Sequence, residues 1–193
     1  MTYERVKIIR KPKKALSESE LARLESLDRT KLTEAEKLTL DKFLFSVYTG
    51  LRVSDNNAMR KSDLSQTEEG LVLSVTTIKT NTRVTLPLRD LFGGKPEQIA
   101  KQYMKRKGAD TLFPYIGREA ITNSLESLHK LADVSFHMTF HTSRHTCATL
   151  LAAKCGDPYI IKDVLGHSDI SIGMRYIHSC ADTLRRQLSA VKW

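Results

Sequence analysis

Between Thr33 and Gly50 the chain carries a capping box, Thr33-Glu-Ala-Glu36, followed by Leu38, Leu40, Phe43, Leu44 and Val47. A hydroxyl and a carboxylate three residues apart satisfy each other's backbone N–H groups at a helix start, and a glycine just past the apolar run stops the helix. The apolar positions form a broad face rather than a narrow stripe, so this segment reads as a helix buried in the core. The rest of the chain has to supply its cover.

Most of that cover also reads as helix. Ser17-Glu-Ser-Glu20 is a second capping box, with Leu21, Leu24 and Leu27 behind it. Pro96 to Lys107 predicts a helix with a basic face of Lys101, Lys105, Arg106 and Lys107, ended by Gly108. Glu119 to Val134 predicts an amphipathic helix on Ile121, Leu125, Leu128 and Leu131. Phe140 opens a helix with the apolar body Ala148–Ala153, broken by Gly156 and Pro158. Pro158 leads a short helix ending in Val164-Leu-Gly-His167, and Ser168–Gly173 reads as a cap and short turn into Met174–His178. Two segments differ. Leu71–Thr77 and Arg83–Leu88 are β-rich, with polar Ile78–Asn81 between them, and predict an antiparallel hairpin with Lys79 near its tip. The fold class is therefore mainly α with a small antiparallel β-hairpin or sheet, an α+β chain.

Charge narrows the partners. The formal net charge is +9 with a pI near 9.5, which favours polyanions: nucleic acid or an anionic membrane surface. No apolar run is long enough to cross a bilayer, and the start lacks the basic-then-apolar pattern of a signal peptide. Cys147, Cys155 and Cys180 have no paired spacing, which excludes a disulfide framework and fits a reducing cytoplasm. No Cys-x-x-Cys spacing is present, no cysteine pairs with the His-x-x-x-His of His141 and His145, and there is no acidic cluster, so neither a metal nor another cofactor is expected. Residues 1–16 form a basic tail or linker, and residues 17–193 form one domain.

The polar residues at the start of the Phe140 helix point to an anion. His141, Arg144 and His145 lie three and four apart and share a face. Thr139 is the expected N-cap, so free backbone N–H groups and the positive helix end add to Arg144. Phosphate is the first candidate ligand. Each remaining candidate has an ordinary reading when taken alone. Arg52 in Thr49-Gly-Leu-Arg-Val-Ser-Asp55 reads as half of a structural salt bridge with Asp55, Lys79 as an exposed turn lysine, His167 as a helix C-cap and Tyr176 as a core or rim residue.

Taken in order, Arg52, Lys79, His141-x-x-Arg144, Leu165-Gly-His167 and, nine residues later, Tyr176 resemble the tyrosine recombinase, or phage-integrase, family. The resemblance runs from about Ser17 to about Ile177. Its most specific parts are Thr49-Gly-Leu-Arg52, Phe140-His-Thr-Ser-Arg-His-Thr146, and Leu165-Gly-His-Ser168 with Arg175-Tyr176. Ser143 departs from the apolar residue the family often has there. The resemblance implies DNA breaking and rejoining through a 3′-phosphotyrosyl link, in recombination or integration of a mobile element or phage. It implies Arg52 and Arg144 as phosphate clamps, His141 in acid–base work, His167 on the phosphate, Lys79 as proton donor to the leaving oxygen and Tyr176 as nucleophile. His145 and His178 are assigned to packing or supporting roles, and His129 and His137 to structure or surface.

The same resemblance implies double-stranded DNA as partner, a monomer in free solution, a tetramer on paired DNA sites, and accessory DNA-bending proteins. It also implies docking of a C-terminal segment, from about residue 180, on a neighbouring subunit. Leu184, Leu188, Val191 and Trp193 suit such docking or a fold-back on the same domain. Family members carry a core-binding domain ahead of this one, so an isolated or truncated catalytic domain is expected. Two other functions stay open at this stage: a DNA-binding module without catalysis, and a type IB topoisomerase-like relaxing enzyme.

Overall fold

The computed structural model describes residues 14–167 and 169–178. Both capping boxes form as read. Ser17 Oγ accepts from Glu20 N at 3.3 Å and Ser17 N donates to Glu20 Oε2 at 2.9 Å, opening α1 (Glu18–Glu25). Thr33 and Glu36 make the same exchange at 3.2 and 2.8 Å to open α2 (Glu34–Thr49), and Gly50 closes it at φ 70°.

The helix α2 is buried from Thr39 to Thr49. One side, with Leu40, Phe43, Leu44 and Val47, meets α1 and the helix α5 (Arg118–Leu131). On the other side Phe45 joins a second cluster built on the sheet. The long helix α6 (Phe140–Lys154) lies against α2 and also serves both clusters, through Phe140 and Leu150 on one side and Cys147, Ala148 and Leu151 on the other. These two helices form the spine.

The sheet has three antiparallel strands in the order β1 (Leu64–Thr67), β2 (Gly70–Thr76) and β3 (Arg83–Pro87). The expected hairpin is β2–β3, in register Val75 with Val84 and Leu73 with Leu86. Val84 and Leu86 face the core while Arg83, Thr85 and Pro87 face out, as the alternation requires. Strand β1 was not expected. Its residues Leu64-Ser-Gln-Thr67 have little β propensity, and pairing of Leu64 with Leu73 makes the strand.

Three short helices complete the order: α3 (Val53–Ala58), α4 (Lys95–Met104) and α7 (Pro158–Leu165), with α8 (Ile170–His178) last among the described residues. Two sequence expectations need correction. The helix of the 96–107 segment ends at Met104, before Lys105, Arg106 and Lys107, and its basic groups are partly paired: exposed Lys101 with Glu97 at 3.0 Å, and Arg106 Nη1 donating to Leu112 O at 3.1 Å. Leu131, counted in the apolar stripe, is 55% exposed, and the buried position one turn after Leu128 is taken by Ala132. Residues 1–13, Ser168 and the Thr183–Trp193 segment lie outside the described residues.

A buried lysine in α2 gives a testable pH dependence. Lys42 is fully enclosed, and its Nζ donates to Pro114 O at 2.9 Å and to the Asn57 side-chain oxygen. Burial first, and then the charge of Arg106, pull its pKa from 10.5 down to about 8. Between those values the unfolded chain holds more protons than the folded one, so stability rises with pH across that window. The Cys147 thiol, pushed by burial from 9.0 up to about 12, offsets that slope above pH 9, and the phenols of Tyr48 and Tyr103, pushed up mainly by burial, turn it over above their ordinary value of 10.0. Urea unfolding midpoints are expected to climb from about pH 8 to about pH 9 in the parent protein. In Lys42→Met that climb is expected to disappear.

Candidate active site

Four chain segments are tied to one another at one end of the spine. The first is the α2–α3 turn. Gly50, Leu51 and Arg52 cross from one helix to the next, and Arg52 is the N-cap residue of α3. Asp55 lies in the first turn of α3, buried, and its Oδ2 accepts from Arg52 N at 3.1 Å. Its Oδ1 accepts from Ile78 N at 2.9 Å. The carboxylate therefore binds two backbone amides, one in each of two segments. This corrects the salt-bridge reading of Arg52, since no ion pair to its guanidinium forms among the described residues. The side chain is half-buried, and its Nη1 is buried without a hydrogen-bond partner among those residues.

The second segment is the β2–β3 turn, which carries Lys79. Thr77 N donates to Thr82 O at 2.9 Å, and Asn81 takes a positive φ of 49° to close the turn. Asp55 holds this turn from one side. Thr80 Oγ1, donating to Gly166 O at 3.4 Å, holds it from the other. Lys79 itself is exposed.

Gly166 belongs to the third segment, the end of α7. It is the C-cap at φ 61°, and His167, 9% exposed, follows with its N–H on Lys162 O at 2.9 Å. A Cβ on Gly166 would lie 2.6 Å from Val84 Cγ2, an atom of a stiff β-branched side chain. Both the left-handed conformation and the close approach require glycine. Gly166→Ala is expected to cost about 1–3 kcal/mol of stability, the scale of overpacking plus backbone strain, measurable by denaturant unfolding.

The fourth segment is the start of α6. Thr139 is the N-cap as expected, and its N–H donates to Thr142 Oγ1 at 3.1 Å. His141 in the first turn is exposed. Arg144 is only 4% exposed; its Nη1 donates to Gly50 O at 2.6 Å, and its Nη2 is buried without a partner among the described residues. One guanidinium thus reaches back to the turn that carries the other. Burial first, and the charge of Arg52 second, disfavour the charged form of Arg144, while Cys147, Tyr176 and Asp55 favour it. Two like charges with unspent N–H donors are stabilised by an anion placed between them.

The helix α8 packs on α6 and α7 and brings Tyr176 to this place, half-buried against the sheet-side core. Its hydroxyl lies 2.8 Å from His145 Nδ1. The His145 ring packs edge-on to His141, with centroids 4.4 Å apart. Sequence reasoning gave His145 a packing or supporting role and did not name this partner. The signal was present in the i, i+4 face it shares with His141.

Asp55, Gly50 and Gly166 link the segments bearing Arg52, Lys79, Arg144 and His167, and His145 links His141 to Tyr176. Lys79 makes no hydrogen bond or ion pair among the described residues. A separate cluster of Glu126, His129 and His137 brings ligand-type atoms within 4.8 Å of one another. There Glu126 already pairs with Lys130 at 2.9 Å through Oε1 and with His137 at 2.9 Å through Oε2, an ion-pair network on α5 and the segment leading to α6.

Guanidinium donors beside a phenol suit an oxyanion chemically. The sequence pattern of the phage integrase family matches residues 14–182, and the chain belongs to that family. It is 28% identical over 177 residues to tyrosine recombinase XerD of Staphylococcus saprophyticus, covering 86% of this chain and 58% of that protein. XerD of Staphylococcus aureus is 27% identical over 177 residues with the same shares, so the chain spans 58% of the length of these relatives.

Three solved structures share the fold. One is XerA recombinase, with a TM-score of 0.69 and 22% identity, covering 94% of this chain and 66% of that one. A second is XerH site-specific recombinase bound to palindromic difH substrate in a post-cleavage complex, at 0.70 and 20%, covering 91% and 52%. The third is the Tn1549 transposon integrase in complex with transposon right end DNA, at 0.71 and 18%, covering 95% and 67%. The mainly helical architecture with a small three-stranded antiparallel sheet is that of these catalytic domains. No described helix is long and apolar enough to cross a membrane.

Proposed function

We propose that this chain cleaves and rejoins double-stranded DNA through a 3′-phosphotyrosyl intermediate, in site-specific recombination or integration of a mobile element or phage. The observation that carries the reading is the pair Arg52 and Arg144. Each keeps a buried N–H group unspent among the described residues, and Arg144 couples electrostatically to Arg52 and to Tyr176. Family membership and the fold shared with DNA-bound recombinases support the same reading.

The chemistry assigns each group a task. Arg52 and Arg144 hold the non-bridging oxygens of the scissile phosphate and stabilise the charge that grows there. A phenol is poorly ionised at neutral pH, with a reference pKa of about 10, so the site must help Tyr176 lose its proton. As the phenolic oxygen bonds to phosphorus, the bond to the 5′ oxygen breaks and Lys79 protonates that oxygen. His167 hydrogen-bonds the phosphate, and His141 serves acid–base steps at the exposed rim. The phosphotyrosyl bond conserves the energy of the phosphodiester, so a 5′-hydroxyl rejoins the strand without ATP. None of these steps calls on a metal ion.

In this reading residues 17–193 are the catalytic domain, residues 1–16 a basic tail or linker, and the segment from about 180 a docking element. The protein is a monomer when free and a tetramer on paired sites, works in the cytoplasm, and is served by DNA-bending accessory proteins. Incubation with a pool of nicked duplexes of random sequence tests the reading. Cleavage next to a nick releases a short strand and traps the enzyme, so a band that survives denaturation and retains labelled DNA is expected, with or without EDTA. DNA binding with no such band contradicts it.

A further inference from the structure

We infer that His145, rather than the exposed His141, is the base that takes the phenolic proton of Tyr176; this rests on the reading of Tyr176 as nucleophile. The contact is direct. Nδ1 of His145 stands 2.8 Å from Tyr176 Oη, inside the range a general base needs before any motion occurs. His145 is 7% exposed and sits one turn beyond His141 on α6. The edge-on His141 ring fixes the plane of the imidazole.

The assignment requires one tautomer. For Nδ1 to accept the phenolic O–H, the neutral ring must carry its proton on Nε2. The proton count then closes. The O–H bond of Tyr176 breaks as the O–P bond forms, and its proton goes to His145 Nδ1. The P–O5′ bond breaks, its electron pair stays on O5′, and the general acid protonates that oxygen. On rejoining, the 5′-hydroxyl gives its proton back to the conjugate base of the general acid as its oxygen bonds to phosphorus, the P–O bond to Tyr176 breaks, and His145 Nδ1 returns its proton to the departing phenolate.

Two measurements on the whole chain test this. The first is long-range 15N–1H correlation of the imidazoles at a pH where His145 is neutral. The expected result is a proton on Nε2 and none on Nδ1; a proton on Nδ1 overturns the inference. The second is cleavage of the nicked random-sequence duplex pool by His145→Asn and His145→Ala. Asn retains an acceptor for the hydroxyl but cannot take the proton. Both variants are expected to cleave about 10²–10⁴-fold more slowly, with unchanged DNA affinity, and added imidazole is expected to restore part of the rate in His145→Ala. Parent-like rates in His145→Asn overturn the assignment. An adduct that persists in Tyr176→Phe instead removes the nucleophile reading itself, so the two failures are distinguishable.

Discussion

Tyr176→Phe is expected to bind DNA as the parent does and to form no covalent adduct with it. The substitution removes one oxygen and leaves the ring, which packs against the sheet-side core beside Ile177. The fold loses the hydrogen bond to His145, worth about 0.5–1.5 kcal/mol, and keeps the apolar contacts. Catalysis loses its nucleophile altogether. Water cannot substitute efficiently, because the site positions a phenol. A fall in cleavage on the order of 10⁶-fold is the scale seen when a covalent nucleophile is removed. Quantitative trapping on nicked duplexes, alongside a gel-shift measurement of affinity, checks both halves of this expectation.

Arg144→Met should separate activity from stability. Arg144 is a buried cation with one N–H group on Gly50 O and another unspent among the described residues. A methionine of similar reach fills the space without a charge to desolvate. Stability is expected to stay within about 2 kcal/mol of the parent, because relief of a buried charge offsets the carbonyl left without its donor. Cleavage is expected to fall about 10²–10³-fold, the scale of losing one preorganised donor to transition-state charge. Arg144→Lys should not restore it. An ammonium is a single point charge, whereas the guanidinium reaches Gly50 and a phosphate oxygen together. Sulfate is expected to raise the melting temperature of the parent and to do so less in Arg144→Met, as linkage to an anion site requires. Equal sulfate effects in the two proteins contradict the clamp.

Local signals carried much of this into view from sequence. The capping boxes at Ser17 and Thr33 and the stop at Gly50 involve atoms within one helical turn, so residue identity was sufficient. The β2–β3 hairpin followed from alternation that one buried face imposes. Strand β1 was illegible because its stability comes from pairing with Leu71–Leu73 rather than from its own residues. Leu131 fitted the run of apolar residues, but four residues after Leu128 the buried side of the helix falls on Ala132, a side chain too small to stand out in the pattern. At the site, the six candidate residues were found by their resemblance to a family pattern, while their supports were not. Asp55 was expected to hold the Arg52 region, yet its carboxylate spans two backbone amides, Arg52 N and Ile78 N, which only the folded chain brings together. His145 was set aside because its partner comes from α8, beyond the reach of any local rule.

The central claim is that the clamp formed by Arg52 and Arg144 presents a DNA phosphate to one particular phenol. Digestion of the trapped protein–DNA adduct, with mass spectrometry of the peptide that retains nucleotide, tests it most directly. The account predicts a 3′-phosphate ester on the oxygen of Tyr176 in the peptide that follows Arg175. A nucleotide carried by any other side chain contradicts it.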